Sequence, residues 1–147
     1  MTRFRVSLRN FIDSIYNKID ISREKAITNA ISGFEPYKVK LSLYRGETQL
    51  DSVSLSALMC LAEVNRLGGK TEANQLFPDI DLPDDKNRFI GQVMLNLSQL
   101  GIIEYDEPMA DPFSLGDEDP QPGDQTFRMV DITDYSVKYD PQTLNYL

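Results

Sequence analysis

Arg88, Gln92, Asn96 and Gln99 stand at positions i, i+4, i+8 and i+11 of a helical segment, so they share one face. Arginine and side-chain amides are the groups whose paired donors and acceptors fit purine edges in the major groove of DNA. No acid occurs between Lys86 and Ile103, and Lys86 and Asn87 stand where phosphates would be in reach. A solvated helix face uses the same residue types, so both uses stay open at this point.

Other chemistry is narrowly bounded. The chain has no histidine, which removes the commonest general base and the commonest metal ligand together. Zinc sites of Cys/His type, and Ser-His-Asp or Cys-His nucleophile systems, are excluded within one chain. The single cysteine, Cys60, lies in an apolar helical stretch, reads as packed core and rules out disulfides within the chain. Gly68-Gly69-Lys70-Thr71 lacks the first glycine at phosphate-loop spacing and follows a helix instead of a strand. The acids of Gly116-Asp117-Glu118-Asp119 miss the spacing of a calcium loop, and Pro120 and Pro122 interrupt them. The expectation is a non-enzymatic protein with no cofactor and no metal.

The 147 residues suit one domain, and 41% hydrophobic content is enough for a core. No apolar run is long enough to span a bilayer, and no signal-peptide-like segment stands near the start, so a cytoplasmic protein without membrane contact is expected. The net charge of −8 is uneven. Residues 1–50 hold nine Lys/Arg against five Asp/Glu, residues 51–105 four against eight, and residues 106–147 two against ten. Binding follows local field more than total charge, so the basic front and acidic rear matter more than the sum.

The elements that must position the polar face are legible as patterns. Leu8, Phe11, Ile12, Ile15, Tyr16 and Ile19 form one stripe of an amphipathic helix, and Ser22 caps a second that runs toward Gly33. Lys38 to Tyr44 alternates as a half-buried strand, with a short return strand over Gln49 to Val53. Ser54 caps a broad apolar helix over 54–67, ended by Gly68-Gly69. A short helix is expected over 71–77, closed by Pro78, and a longer one over 85–100, capped by Asp84 or Asp85. Strands follow over 102–106 and 126–132, joined by a proline-rich acidic segment that carries no regular pattern. The tail 133–147 is too apolar for full solvation and is expected to pack on the domain or on a partner.

The order of three helices and a strand pair, ending in Val-Met-Leu-Asn-Leu-Ser-Gln-Leu-Gly-Ile-Ile over Val93 to Ile103, resembles a winged helix-turn-helix domain across about Ser52 to Ile132. The leucines would seat the third helix, Gly101 would reverse the chain, and Ile102 and Ile103 would open the first wing strand. The departures are a longer, acidic connection over Pro78 to Pro83, a long negative wing tip over Asp106 to Gln125, and two added N-terminal helices. The resemblance implies a mainly α fold with a small β-sheet (α+β), a winged helix-turn-helix with an N-terminal helical extension. Its parts would be an extension over 1–36, a winged-helix domain over 37–132 and a tail over 133–147.

The same resemblance implies a DNA-binding transcriptional regulator, dimeric on double-stranded DNA. Lys86, Asn87, Arg88, Gln92, Asn96 and Gln99 would lie on the recognition helix, and Arg3, Arg5, Arg9, Lys38 and Lys40 would anchor phosphates. Winged helices also serve as protein-interaction subunits of larger assemblies such as SMC-like ATPase complexes, so an adaptor is the competing expectation. Leu8, Phe11, Ile15 and Ile19 would then face a partner or a second copy, against the plainer alternative of core packing.

Overall fold

The computed structural model describes residues 4–18, 21–106 and 126–140. Over these described residues it is a mixed α/β fold with four α-helices and two small antiparallel sheets. The central element is α3 (Leu55–Arg66), in which every residue from Leu55 to Val64 is buried. A helix surrounded on all sides belongs in the interior, and its mostly apolar sequence is what makes that tolerable. The Ser54 side chain accepts from the Ala57 amide at 3.1 Å and starts it, as the sequence suggests. Gly68 and Gly69 adopt positive φ and end it, with the Gly69 amide reaching back to the Val64 carbonyl at 2.9 Å.

Around α3 lie α1 (Leu8–Ser14), α2 (Arg23–Ile31) and α4 (Pro83–Gln99). Helix α4 begins at Pro83, with Leu82 as its cap, not at Asp84 or Asp85. Proline is preorganised for the first helical position, and the two aspartates fall in the first turn, where the helix dipole favours them. Ile90, Val93, Met94 and Leu97 are its buried face. Gly101 at φ 78° then turns the chain, with the Ile102 amide bonded to the Leu97 carbonyl at 3.0 Å.

The larger sheet joins β1 (Phe4–Ser7), β8 (Tyr135–Tyr139), β2 (Lys40–Arg45) and β3 (Thr48–Gln49), with β4 (Val53–Ser54) on the same edge of β2 as β3. The smaller sheet runs β5 (Lys70–Glu72), β7 (Thr126–Met129) and β6 (Ile103–Asp106) in spatial order. The β6–β7 ribbon pairs in register from Ile103 with Met129 to Asp106 with Thr126.

Three expectations change. Phe4–Ser7, ahead of the first expected helix, is a strand, and it pairs with β8 from Phe4 with Tyr139 to Ser7 with Ser136. The start of the expected tail is therefore an interior strand of the larger sheet, and the first helices are not a separate extension. Leu8, Phe11 and Ile15 share one hydrophobic core with Leu58, Leu97 and Val137. The helix expected over 71–77 is β5 followed by a 3-10 turn over Ala73–Gln75. Thr71 pairs with Phe127 across the sheet, and a reciprocal capping box between Glu72 and Gln75 closes the turn before a helix can extend. The strand expected from Lys38 begins at Lys40, because Pro36 holds a 3-10 turn over Glu35–Lys38. The acidic segment 107–125 and the end of the tail, 141–147, lie outside the described residues.

One polar network ties these layers together. The Glu63 side chain is 2% exposed. The Arg23 guanidinium donates to both of its oxygens at 2.5 to 2.9 Å, Arg66 reaches Oε2 at 3.0 Å, and the Tyr16 hydroxyl donates to Oε1 at 3.2 Å. A buried carboxylate is costly unless paired, and this one has three donors from α2, α3 and the turn after α1. Burial, with the adjacent Glu63 charge and hydrogen bond, pushes the Tyr16 phenol far above its ordinary value. Burial opposes the charge of Arg23, but the hydrogen bond and charge of Glu63 outweigh it and raise its pKa.

Candidate functional site

The polar face of α4 forms one wall of an open groove. Arg88, Gln92 and Asn96 line it, with Asp85 at its end and Phe89 and Val93 below. The opposite wall is the end of α2 and the turn after it, Ile31 to Phe34, together with Lys38 and Lys40. Ser54 and Ser56, at the start of α3, close the groove. Its volume is about 560 Å³. Three cations and one carboxylate line the groove. Arg88 is 4.0 Å from Asp85, and Lys38 is 3.8 Å from Glu35, both pairs well exposed and hence weakly held.

The structure thus unites part of the expected set. Arg88, Gln92 and Asn96 from the recognition face meet Lys38 and Lys40 from the anchoring group. The others fall elsewhere. Lys86 is half-buried and donates to the Phe77 carbonyl at 3.2 Å, which fixes the approach to α4 instead of facing solvent. Asn87 lies on the ribbon side of α4, beside a small pocket formed by Gly91, Met94, Tyr105 and Phe127. Gln99 lines a separate depression with Gln49, Leu50 and Asp51.

Two expected phosphate anchors are engaged within the chain. The Arg5 guanidinium stacks 4.4 Å from the centre of the Tyr44 ring, donates to Ser136 at 2.8 Å and to the Gly46 carbonyl, and approaches Glu47 at 3.4 Å. It cross-braces the larger sheet. Arg9 donates to Asn65 Oδ1 at 3.1 Å. Arg3 lies outside the described residues.

Of the two uses open to the stripe Leu8, Phe11 and Ile15, the structure shows core packing and not a partner-facing surface. Leu8 and Phe11 are fully buried and Ile15 is 1% exposed, so α1 spends its apolar face on the chain's own core. Phe11 also packs edge-on to Tyr139 of β8, with ring centres 5.2 Å apart. Ile19, the fourth member, lies outside the described residues.

Phe34 and Ser56 also line the groove. Phe34 is 45% exposed, a large aromatic left on the groove rim. Its only signal was a helix-breaking Phe-Glu-Pro, which marks a turn but not which neighbours the turn meets. Among the described residues no group of three or more His, Cys, Asp or Glu is placed to hold a metal ion, and no helix is long and apolar enough to cross a membrane. Compared with models of known protein families, with curated proteins and with solved structures, the chain has no match in any of the three.

Proposed function

We propose that the chain is a winged-helix DNA-binding protein acting as a transcriptional regulator, with α4 as the helix that enters the major groove of duplex DNA. The element order α3, β5, turn, α4, β6, β7, with the strands arranged β5-β7-β6, supports the winged-helix assignment. The observation that carries the function is the meeting of Arg88, Gln92 and Asn96 with Lys38 and Lys40 around one groove. Base-reading groups and phosphate anchors are both needed for a specific complex, and they must lie on the same side. Arg88 and Gln92 take the base-reading role, and Lys38 and Lys40 hold the backbone.

Fluorescence anisotropy with mixed-sequence duplex tests it. Binding is expected at about 50 mM salt and falls steeply as salt rises. Lys38→Ala/Lys40→Ala weakens every sequence alike and lowers the salt slope by about 1 per lysine. Arg88→Ala/Gln92→Ala flattens sequence preference instead. Absence of binding at low salt, or binding indifferent to both pairs, overturns the assignment.

A second reading, a protein-interaction subunit of a larger assembly, draws on Leu95. This leucine is 53% exposed on α4, where a phosphate backbone offers no partner for it. That reading predicts no duplex binding and capture of a protein partner that Leu95→Asp abolishes.

A further inference from the structure

The groove beside α4 has features that a helix lying in a major groove does not require. It is concave, Ile31, Ala57 and Val93 give its lining an apolar part, and an aromatic ring of that lining stands exposed. Burying a phenylalanine is worth about 1.5–3 kcal/mol, and the chain leaves much of that unclaimed at Phe34. The ring is not loose. It packs edge-on to Tyr37, with centres 5.2 Å apart and planes at 82°, and Tyr37 itself is 1% exposed. A volume of about 560 Å³ lies within the usual range of about 300–1,000 Å³ for ligand sites, and the lining sets apolar side chains beside more numerous polar and charged ones, as suits a polar ligand with an apolar face.

We propose that this groove takes a single nucleotide unit. The phosphate lies with Lys38 and Lys40, the base packs on Phe34, and the amides of Gln92 and Asn96 bond the base edge. Base–aromatic stacking beside a cationic track is how unpaired strands are held, and a duplex, whose bases stay stacked, gains nothing from Phe34. An acidic peptide would also suit the lysines, but it has no use for an exposed aromatic beside two amides one helical turn apart. The proposal rests on the same groove as the DNA reading and adds a ligand class that duplex recognition does not need. The nucleotide comes either free or as part of an unpaired strand.

Calorimetric titration of the full chain decides between these, with adenosine 5′-monophosphate, adenosine, inorganic phosphate, a single-stranded 12-mer and a polyglutamate peptide as probes. The expected result is a Kd of about 1 mM or tighter for the mononucleotide, with adenosine and phosphate each at least about tenfold weaker. Phe34→Ala weakens the mononucleotide by at least about fivefold. Phe34 is half in solvent, so this variant keeps its core. Lys38→Ala/Lys40→Ala weakens the mononucleotide but not adenosine. A 12-mer at least about tenfold tighter than the mononucleotide assigns the natural source to a strand, and equal affinity assigns it to a free nucleotide. No binding of mononucleotide or 12-mer, binding indifferent to Phe34→Ala, or polyglutamate binding as tightly as the 12-mer overturns the proposal. Duplex binding without nucleotide binding refutes this inference alone, and nucleotide binding without duplex binding refutes the DNA reading alone.

Discussion

Glu63 is the residue on which the helical layers depend most. Glu63→Ala removes the shared acceptor of Arg23, Arg66 and Tyr16. The arginines are 44% and 57% exposed and regain water, so the loss is expected at about 2–3 kcal/mol, below the about 3–5 kcal/mol of a fully buried pair. Urea unfolding checks it, as a lower midpoint with unchanged slope. Alkaline stability follows from the same interior. Burial raises the pKa of Tyr16, Tyr37, Tyr105 and Cys60. A raised folded-state value contributes stability that is whole below the unfolded value and lost as pH climbs through the folded one. The melting temperature should hold to about pH 8 and fall from about pH 9 upward, and a flat profile to about pH 11 would contradict this. Cys60, fully buried, should resist thiol reagents until urea unfolds the chain.

At the scale of the element, one glycine within α4 and one just after it make opposite predictions. Gly91 lies in the middle of α4, and a Cβ there meets nothing within 4 Å. Gly91→Ala should raise stability by about 0.5–1 kcal/mol, since the helix recovers propensity without a clash. Gly101 stands at φ +78° after the same helix. Gly101→Ala should lower stability by about 1–2 kcal/mol, because a side chain resists the left-handed region. Thermal melts of the two variants settle both signs. The patterns behind α3, α4 and β2 were legible because one face of each, or all of it, is apolar at a fixed period. Thr71 misled because a three-residue strand carries no period, and its pairing with Phe127 is more than fifty residues away in sequence. The same limit hid the groove. Arg88, Gln92 and Asn96 could be placed on one face by counting, but nothing local to Phe34, Lys38 or Lys40 announces that α4 passes in front of them. Arg5 and Arg9 show the reverse limit, since basic composition does not reveal which cations the fold already engages.

For the whole molecule, the overall charge of −8 works against any anionic partner, so association must rely on the local positive field of the groove. The duplex reading therefore stands or falls on where DNA touches the surface. Chemical-shift mapping of the ¹⁵N-labelled chain against a mixed-sequence duplex at low salt addresses this directly. The predicted outcome is a footprint centred on Arg88, Gln92 and Asn96 and extending to Lys38 and Lys40, with Arg5 and Arg9 unmoved. Absence of shifts, or a footprint on the larger sheet with α4 silent, would contradict it.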